Sequence, residues 1–282
     1  MLAKELYTCL DNDFIKPELT DEWFKYMPEL ESFLCENFKN RNMGLVCDFT
    51  DTVNKVYTAV FPSESVLNKI LDNDDNAMLF VHHASIWDLK KSPHGFYNMD
   101  STLLEKLKKK HVSIYCLHSP LDNYNDFSTS KTLADALNID IVRPFINYEG
   151  GICGINGKTS CKTVNELHNK FSEAVGHETK LYEYGDSVID NGIVGICAGG
   201  GNQTFVVEEL IENKIMTLIT GITLKNEFSK ETHELEQKHR INLVGGTHYS
   251  TEKFACIAML KYFSKIGLPA EFIEDEPCFE DM

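Results

Sequence analysis

The chain has 282 residues, 43% hydrophobic and 25% charged, ordinary globular usage that excludes a disordered polymer and fills one large or two packed domains. Its 43 acidic residues against 27 basic ones give a formal net charge of −16. Arginine stands only at Arg41, Arg143 and Arg240, so the clustered basic face that neutralises nucleic-acid phosphates is excluded.

Residues 1–43 alternate apolar with acidic positions, and Leu30, Phe33, Leu34 and Phe38 recur at helical spacing, which predicts a helical lead-in. Residues 53–61 are β-branched and aromatic and read as a strand. Pro62-Ser63-Glu64-Ser65 then opens a helix that continues over 66–71, before a strand at 77–81. Residues 84–101 carry Pro93-His94-Gly95 and no period, which predicts a loop. A helix at 102–109 and a strand at 112–117 follow, the lysine run 106–110 being a solvated helix face. Next come a helix at 130–137, a short strand at 139–142, a glycine-rich turn over 150–158 and a helix at 164–175. Strands at 180–184 and 192–198 lead to Gly199-Gly200-Gly201-Asn202, which opens a helix at 204–212. A strand at 215–222, a helix at 231–240, a strand at 241–244 and a last helix from 251 to 266 complete the chain. Strands alternating with helices predict α/β layers with parallel or mixed sheets. No fixed-period repeat or low-complexity linker interrupts them.

Nine cysteines form an odd set without a C-x-x-C pair, and Cys47, Cys116 and Cys256 sit in apolar runs as small hydrophobes. This usage points to a reducing compartment. With no signal-peptide pattern at Met1-Leu2-Ala3-Lys4-Glu5 and no apolar run of about 18 residues, a soluble cytoplasmic protein without membrane contact is expected.

The chemistry concentrates at three strand ends. His82-His83 follows the apolar run Ala77-Met78-Leu79-Phe80-Val81. His118 with Asp122, and His248 with Glu252, each place a carboxylate four residues after a histidine that ends an apolar run. An imidazole and a carboxylate four apart share one face if the chain turns helical, and can then grip one cation. Each pair also has an ordinary reading: strand-end histidines, a capped turn after Ser119-Pro120, and a helix N-terminal box with Ser250 or Thr251 as cap and Glu252 complementing the dipole. The adjacent histidines could both ligate only if the strand bends, because neighbouring strand residues face opposite ways. Together the six donors are too many for one tetrahedral zinc. Nitrogen and oxygen donors with carboxylates able to bridge suit two divalent ions, and zinc, iron and manganese all fit. All lie beyond carboxyl ends of predicted strands, where open α/β sheets bind ligands.

Other patterns fail. Gly151-Ile152-Cys153-Gly154-Ile155-Asn156-Gly157-Lys158-Thr159 looks like a P-loop, but glycine is required where Ile152 stands. His233-Glu234 starts a zincin-like pattern with Gln237 where the second histidine belongs. The Gly199-Gly200-Gly201 run suits either anion binding by backbone N–H groups or a tight turn.

At these residues the chain resembles the Nif-three-like dinuclear metal centre family, whose bacterial members are labelled GTP cyclohydrolase I type 2 homologs. The resemblance spans about 43–275. It rests on His82-His83, His118-Ser119-Pro120-Leu121-Asp122 and His248-Tyr249-Ser250-Thr251-Glu252, with further similarity at Ala198-Gly199-Gly200-Gly201 and Thr220-Gly221. A departure is Ala84, where many members have proline. The resemblance implies two related α/β domains with mixed sheets, a dinuclear metal site in the cleft between them, and a homo-hexameric ring. The expected domains are 1–125 with 240–282, carrying the metal ligands, and 126–239. The implied function is a metal-dependent hydrolase acting on a nucleotide or related small molecule, with a two-metal phosphoester hydrolase or a non-catalytic metal-binding hexameric scaffold as alternatives. No catalytic or substrate-binding residue separates itself from the ligands.

Overall fold

A computed structural model describes residues 1–92 and 94–282; Pro93, within the predicted loop, lies outside the described residues. The chain divides into two compact units.

The first unit takes Met1–Leu121, Glu149–Gly151 and Cys256–Glu276. Its sheet joins β1 (Gly44–Cys47), β2 (Lys55–Ala59), β3 (Ala77–Val81), β6 (Val112–Cys116) and β13 (Ala270–Phe272) in the order β1-β6-β3-β2-β13. Only β1 runs antiparallel to its neighbour. Strands β3 and β6 are buried along their whole length, as parallel strands covered on both faces must be, and their apolar runs, interrupted only by Ser113 in β6, are the sequence counterpart. Helix α3 (Glu64–Asn73) is capped by Ser63 Oγ, which accepts from Val66 N, and turns Val66, Leu67 and Ile70 inward. Helix α4 (Ser101–Lys109) is capped by Asp100 and carries exposed Lys106, Lys108 and Lys109 in its last turn, where cations complement the dipole.

Two features depart from the sequence pattern. The lead-in is α1 (Ala3–Phe14), two 3₁₀ turns (Phe24–Tyr26 and Pro28–Phe33) and α2 (Glu36–Arg41). Pro28 cannot donate from its nitrogen, and the chain extends at Leu34 and Cys35, whose N–H bonds Val46 O. Within the predicted loop, β4 (Ile86–Trp87) pairs with β5 (Phe96–Tyr97).

The second unit takes Asp122–Tyr148, Ile152–Ala255 and Pro277–Met282. Its sheet runs β7 (Asp140–Tyr148), β8 (Gly151–Lys158), β10 (Ile193–Cys197), β11 (Thr217–Thr220), β12 (Asn242–Gly245) and β9 (Lys180–Tyr182), in that order. Strands β10, β11 and β12 are mutually parallel, while β8 and β9 run antiparallel to their neighbours, so this sheet too is mixed. Helices α6 (Thr129–Ala136), α7 (Val164–Val175), α8 (Thr204–Glu212) and α9 (Lys230–His239) connect the strands, and α10 (His248–Lys265) begins in this unit. The start of this helix, up to Ala255, belongs with β12 to this unit, and Cys256 onward to the first.

The glycine-rich stretch read as a turn is strand β8. Its glycines serve close packing: a Cβ on Gly154 would sit 2.2 Å from Ile146 Cδ1, and one on Gly157 2.4 Å from Ile139 Cγ2. Glycine in a strand often marks such an approach. The turn itself is Glu149-Gly150, both at positive φ, as two-residue hairpins require. Among the described residues, no helix is long and apolar enough to cross a membrane.

Candidate metal centre

In the first unit, β3 and β6 are parallel neighbours with Val81 opposite Cys116, so their carboxyl ends emerge at one edge. The chain bends at His82 and again at His118. The first bend removes the objection that neighbouring strand residues diverge: the His82 and His83 ring centroids are 4.3 Å apart, and they lie 5.2 and 4.9 Å from His118. One donor atom from each of the three histidines falls within 4.8 Å of the others. His82 and His83 are 0% and 1% exposed.

Two of the imidazoles have their tautomer set by an acceptor. His82 Nδ1–H donates to Leu117 O at 2.9 Å, and His118 Nδ1–H donates to Asp21 Oδ1 at 2.6 Å. Both bonds turn Nε2 into the donor atom for a cation, the outer-sphere arrangement usual for metal-binding histidines. Asp21 is itself held, since its other oxygen accepts from Ser119 N at 3.2 Å and Ser119 Oγ at 3.0 Å. Phe61 stacks on His83 at 4.8 Å, and Trp23 meets both His83 and His118 edge-on. Asp21 and Trp23 carry no sequence signal, because one acidic and one aromatic residue in an acidic lead-in stand out from nothing. An Asp21→Asn variant is expected to keep its circular dichroism spectrum and to bind metal about 10–100-fold more weakly in chelator competition; parent-like affinity would remove Asp21 from this role.

In the second unit, α10 starts at His248, three residues before the predicted start. The cap is Thr247: Ser250 N donates to Thr247 Oγ1 at 3.1 Å and Thr247 N to Ser250 Oγ at 3.0 Å, a reciprocal box. His248 and Glu252 therefore occupy successive turns of one helix face, with Nε2 and Oε1 3.2 Å apart. The buried Asp281 carboxylate accepts from His248 N at 2.8 Å, a negative group at a helix N-terminus. Asp122 closes the short turn α5 (Ser119–Asp122) after β6, and its Oδ1 accepts from Thr129 Oγ1 at 2.7 Å.

Gly199 has φ +69°, and a Cβ there would lie 2.0 Å from Glu252 Oε1. Its N–H donates to Thr251 Oγ1 at 2.9 Å. That amide is thus committed within the protein, and the run works as a close-approach turn. The zincin-like segment holds a different pair: His233 Nδ1 lies 3.1 Å from Tyr184 Oη and 3.2 Å from Glu236, whose carboxyl is pushed up by burial, while Glu234 is exposed. Cys47, Cys116 and Cys256 are fully buried, and burial holds the Cys116 thiol well above its ordinary range.

Fold and side chains together define a mixed α/β protein with buried groups able to hold a metal ion. The chain belongs to the Duf34/NIF3 (NGG1p interacting factor 3) family, whose model matches residues 30–277. It is similar to the GTP cyclohydrolase 1 type 2 homolog of Borreliella burgdorferi, 29% identical over 226 residues that cover 80% of this chain and 84% of that one. The homolog of the same name from Pyrococcus horikoshii is 27% identical over 259 residues, covering 90% and 97%. Among solved structures, protein ybgI, of unknown function, aligns with a TM-score of 0.77 at 20% identity over 99% of this chain and all of that one. Reduced HcgD from Methanocaldococcus jannaschii aligns with a TM-score of 0.68 at 22% identity, covering 98% of each. These two likenesses speak for the fold.

Proposed function

We propose that the protein is a hydrolase dependent on two divalent metal ions, held by His82, His83, His118, Asp122, His248 and Glu252, and acting on a nucleotide or related small heterocycle. The observation that carries the reading is the three-histidine cluster at the ends of β3 and β6, two of its members buried and His118 partly so, with two tautomers set by Leu117 O and Asp21. The donor set fits the ions: neutral imidazoles and carboxylates accept zinc, iron or manganese. Bound ions would activate a water near neutral pH and polarise the atom under attack.

The chain's own residues supply the rest. Asp21 and Leu117 O orient imidazoles, Thr129 orients Asp122, and Gly199 leaves room for the Glu252 carboxylate. Phe61 and Trp23 wall the histidines from water, which strengthens electrostatic interactions inside. The nucleotide, and GTP ring opening with release of formate in particular, rest on the name carried by the relatives.

The test is formate release from GTP by metal-loaded protein beside an Asp122→Asn variant that still folds. Turnover in the parent, reduced at least about 100-fold in the variant, is expected. A parent that holds two ions and turns over neither GTP nor other nucleotides or phosphoesters would retire the hydrolase and favour a non-catalytic scaffold.

A further inference from the structure

Trp23 is 5% exposed, and its Nε1 has no hydrogen-bond partner among the described residues. Buried indole N–H groups almost always find an acceptor, since leaving one unmade is costly. The ring stands at the histidine cluster, edge-on to His118 (centroids 5.0 Å, 88°) and His83 (5.6 Å, 78°), and Phe96 meets it at 5.0 Å and 88°. Two residues earlier Asp21 bonds His118, so this short segment is keyed to the cluster at two points. Ser85, two residues beyond His83 and 1% exposed, likewise has an Oγ without a partner among the described residues.

We infer that the Trp23 indole N–H donates to an anionic oxygen of the ligand held at the histidine cluster, and that this oxygen belongs to a phosphoryl group. The inference rests on the two-metal reading above. An indole nitrogen only donates, so its partner is an acceptor. A chain of net charge −16 draws an anion to a buried point only where cations compensate, and the proposed ions do so. A phosphoryl group offers oxygens to two ions and keeps another for a third donor; a carboxylate has only two oxygens. Trp23 thereby becomes a ligand-contacting residue that selects phosphorylated molecules, with the Ser85 hydroxyl as a second donor.

The chain has two tryptophans, Trp23 and Trp87, so a Trp87→Phe variant leaves Trp23 as the sole indole emitter. Metal-loaded Trp87→Phe protein is titrated with inorganic phosphate and, in a parallel arm, with acetate. Phosphate is expected to shift the Trp23 emission while acetate does not. By calorimetry, Trp23→Phe, which keeps an aromatic ring, is expected to bind phosphate about 10-fold more weakly at unchanged metal content. Ser85→Ala, a small change of volume, should weaken binding in the same direction. Parent-like phosphate affinity in both variants, or no phosphate binding by a parent that holds its ions, overturns the inference alone. Acetate binding as tightly as phosphate overturns the phosphoryl assignment. A parent that holds no ions overturns the metal reading and this one with it.

Discussion

His82→Ala protein is expected to retain less than half of the parent's metal by elemental analysis, and His248→Ala to behave alike. The donors act together: a cation held by several ligands loses affinity steeply when one is withdrawn, and structural sites show how much binding free energy is at stake. The fold should survive. Both residues sit at strand or helix ends, beyond the apolar cluster of Leu79, Val81, Ile114 and Cys116 that fills the first unit and that of Leu218 and Leu243 in the second. Without metal, each variant should unfold within about 2 kcal/mol of the metal-free parent. With metal in excess, the parent should gain up to about 4 kcal/mol that the variants lack, the stabilisation expected at a thousandfold excess over the dissociation constant. Thermal melts with and without chelator measure both quantities. Either variant retaining two ions per chain would refute the ligand assignment.

Gly199→Ala should be the most damaging single-methyl change near the site. At φ +69° an alanine is strained by about 1–2 kcal/mol. The added carbon would also meet the Glu252 carboxylate at 2.0 Å. The side chain can swing away, but only by leaving its place 3.2 Å from His248 Nε2. Denaturant unfolding should therefore show a loss of about 1–2 kcal/mol, and calorimetry a metal affinity at least about 10-fold weaker. A variant with parent-like metal affinity would show that Glu252 does not need this position.

Glycine had two meanings that sequence alone could not separate. The run before α8 and the stretch in β8 look alike as text. The first is a turn pressed against a carboxylate, and the second is a strand whose missing side chains admit Ile146 and Ile139. Which meaning holds depends on what packs opposite, and the packing partner is contributed by another element. The start of α10 was misplaced for a related reason: Thr247, Ser250 and Thr251 are all competent caps, and only the reciprocal bonds of Thr247 with Ser250 decide among them.

Local periodicity was enough where one segment carries its whole signal. The apolar run Ala77–Val81, the amphipathic stretches Val164–Val175 and Thr204–Glu212, and the alternation of strands with helices are written in neighbouring residues, because strand and helix repeat every two or 3.6 positions. So are the candidate donors, whose types and four-residue spacing mark strand ends. Tertiary structure alone decided what surrounds those donors. Asp21 reaches His118 across 97 positions of chain, Trp23 lies edge-on to His83 from the same remote segment, and the Asp281 carboxylate accepts from His248 N from 33 residues away. No local pattern encodes such pairs, since they form only when the parallel strands β3 and β6, or the helix start after β12, bring distant segments within hydrogen-bonding reach.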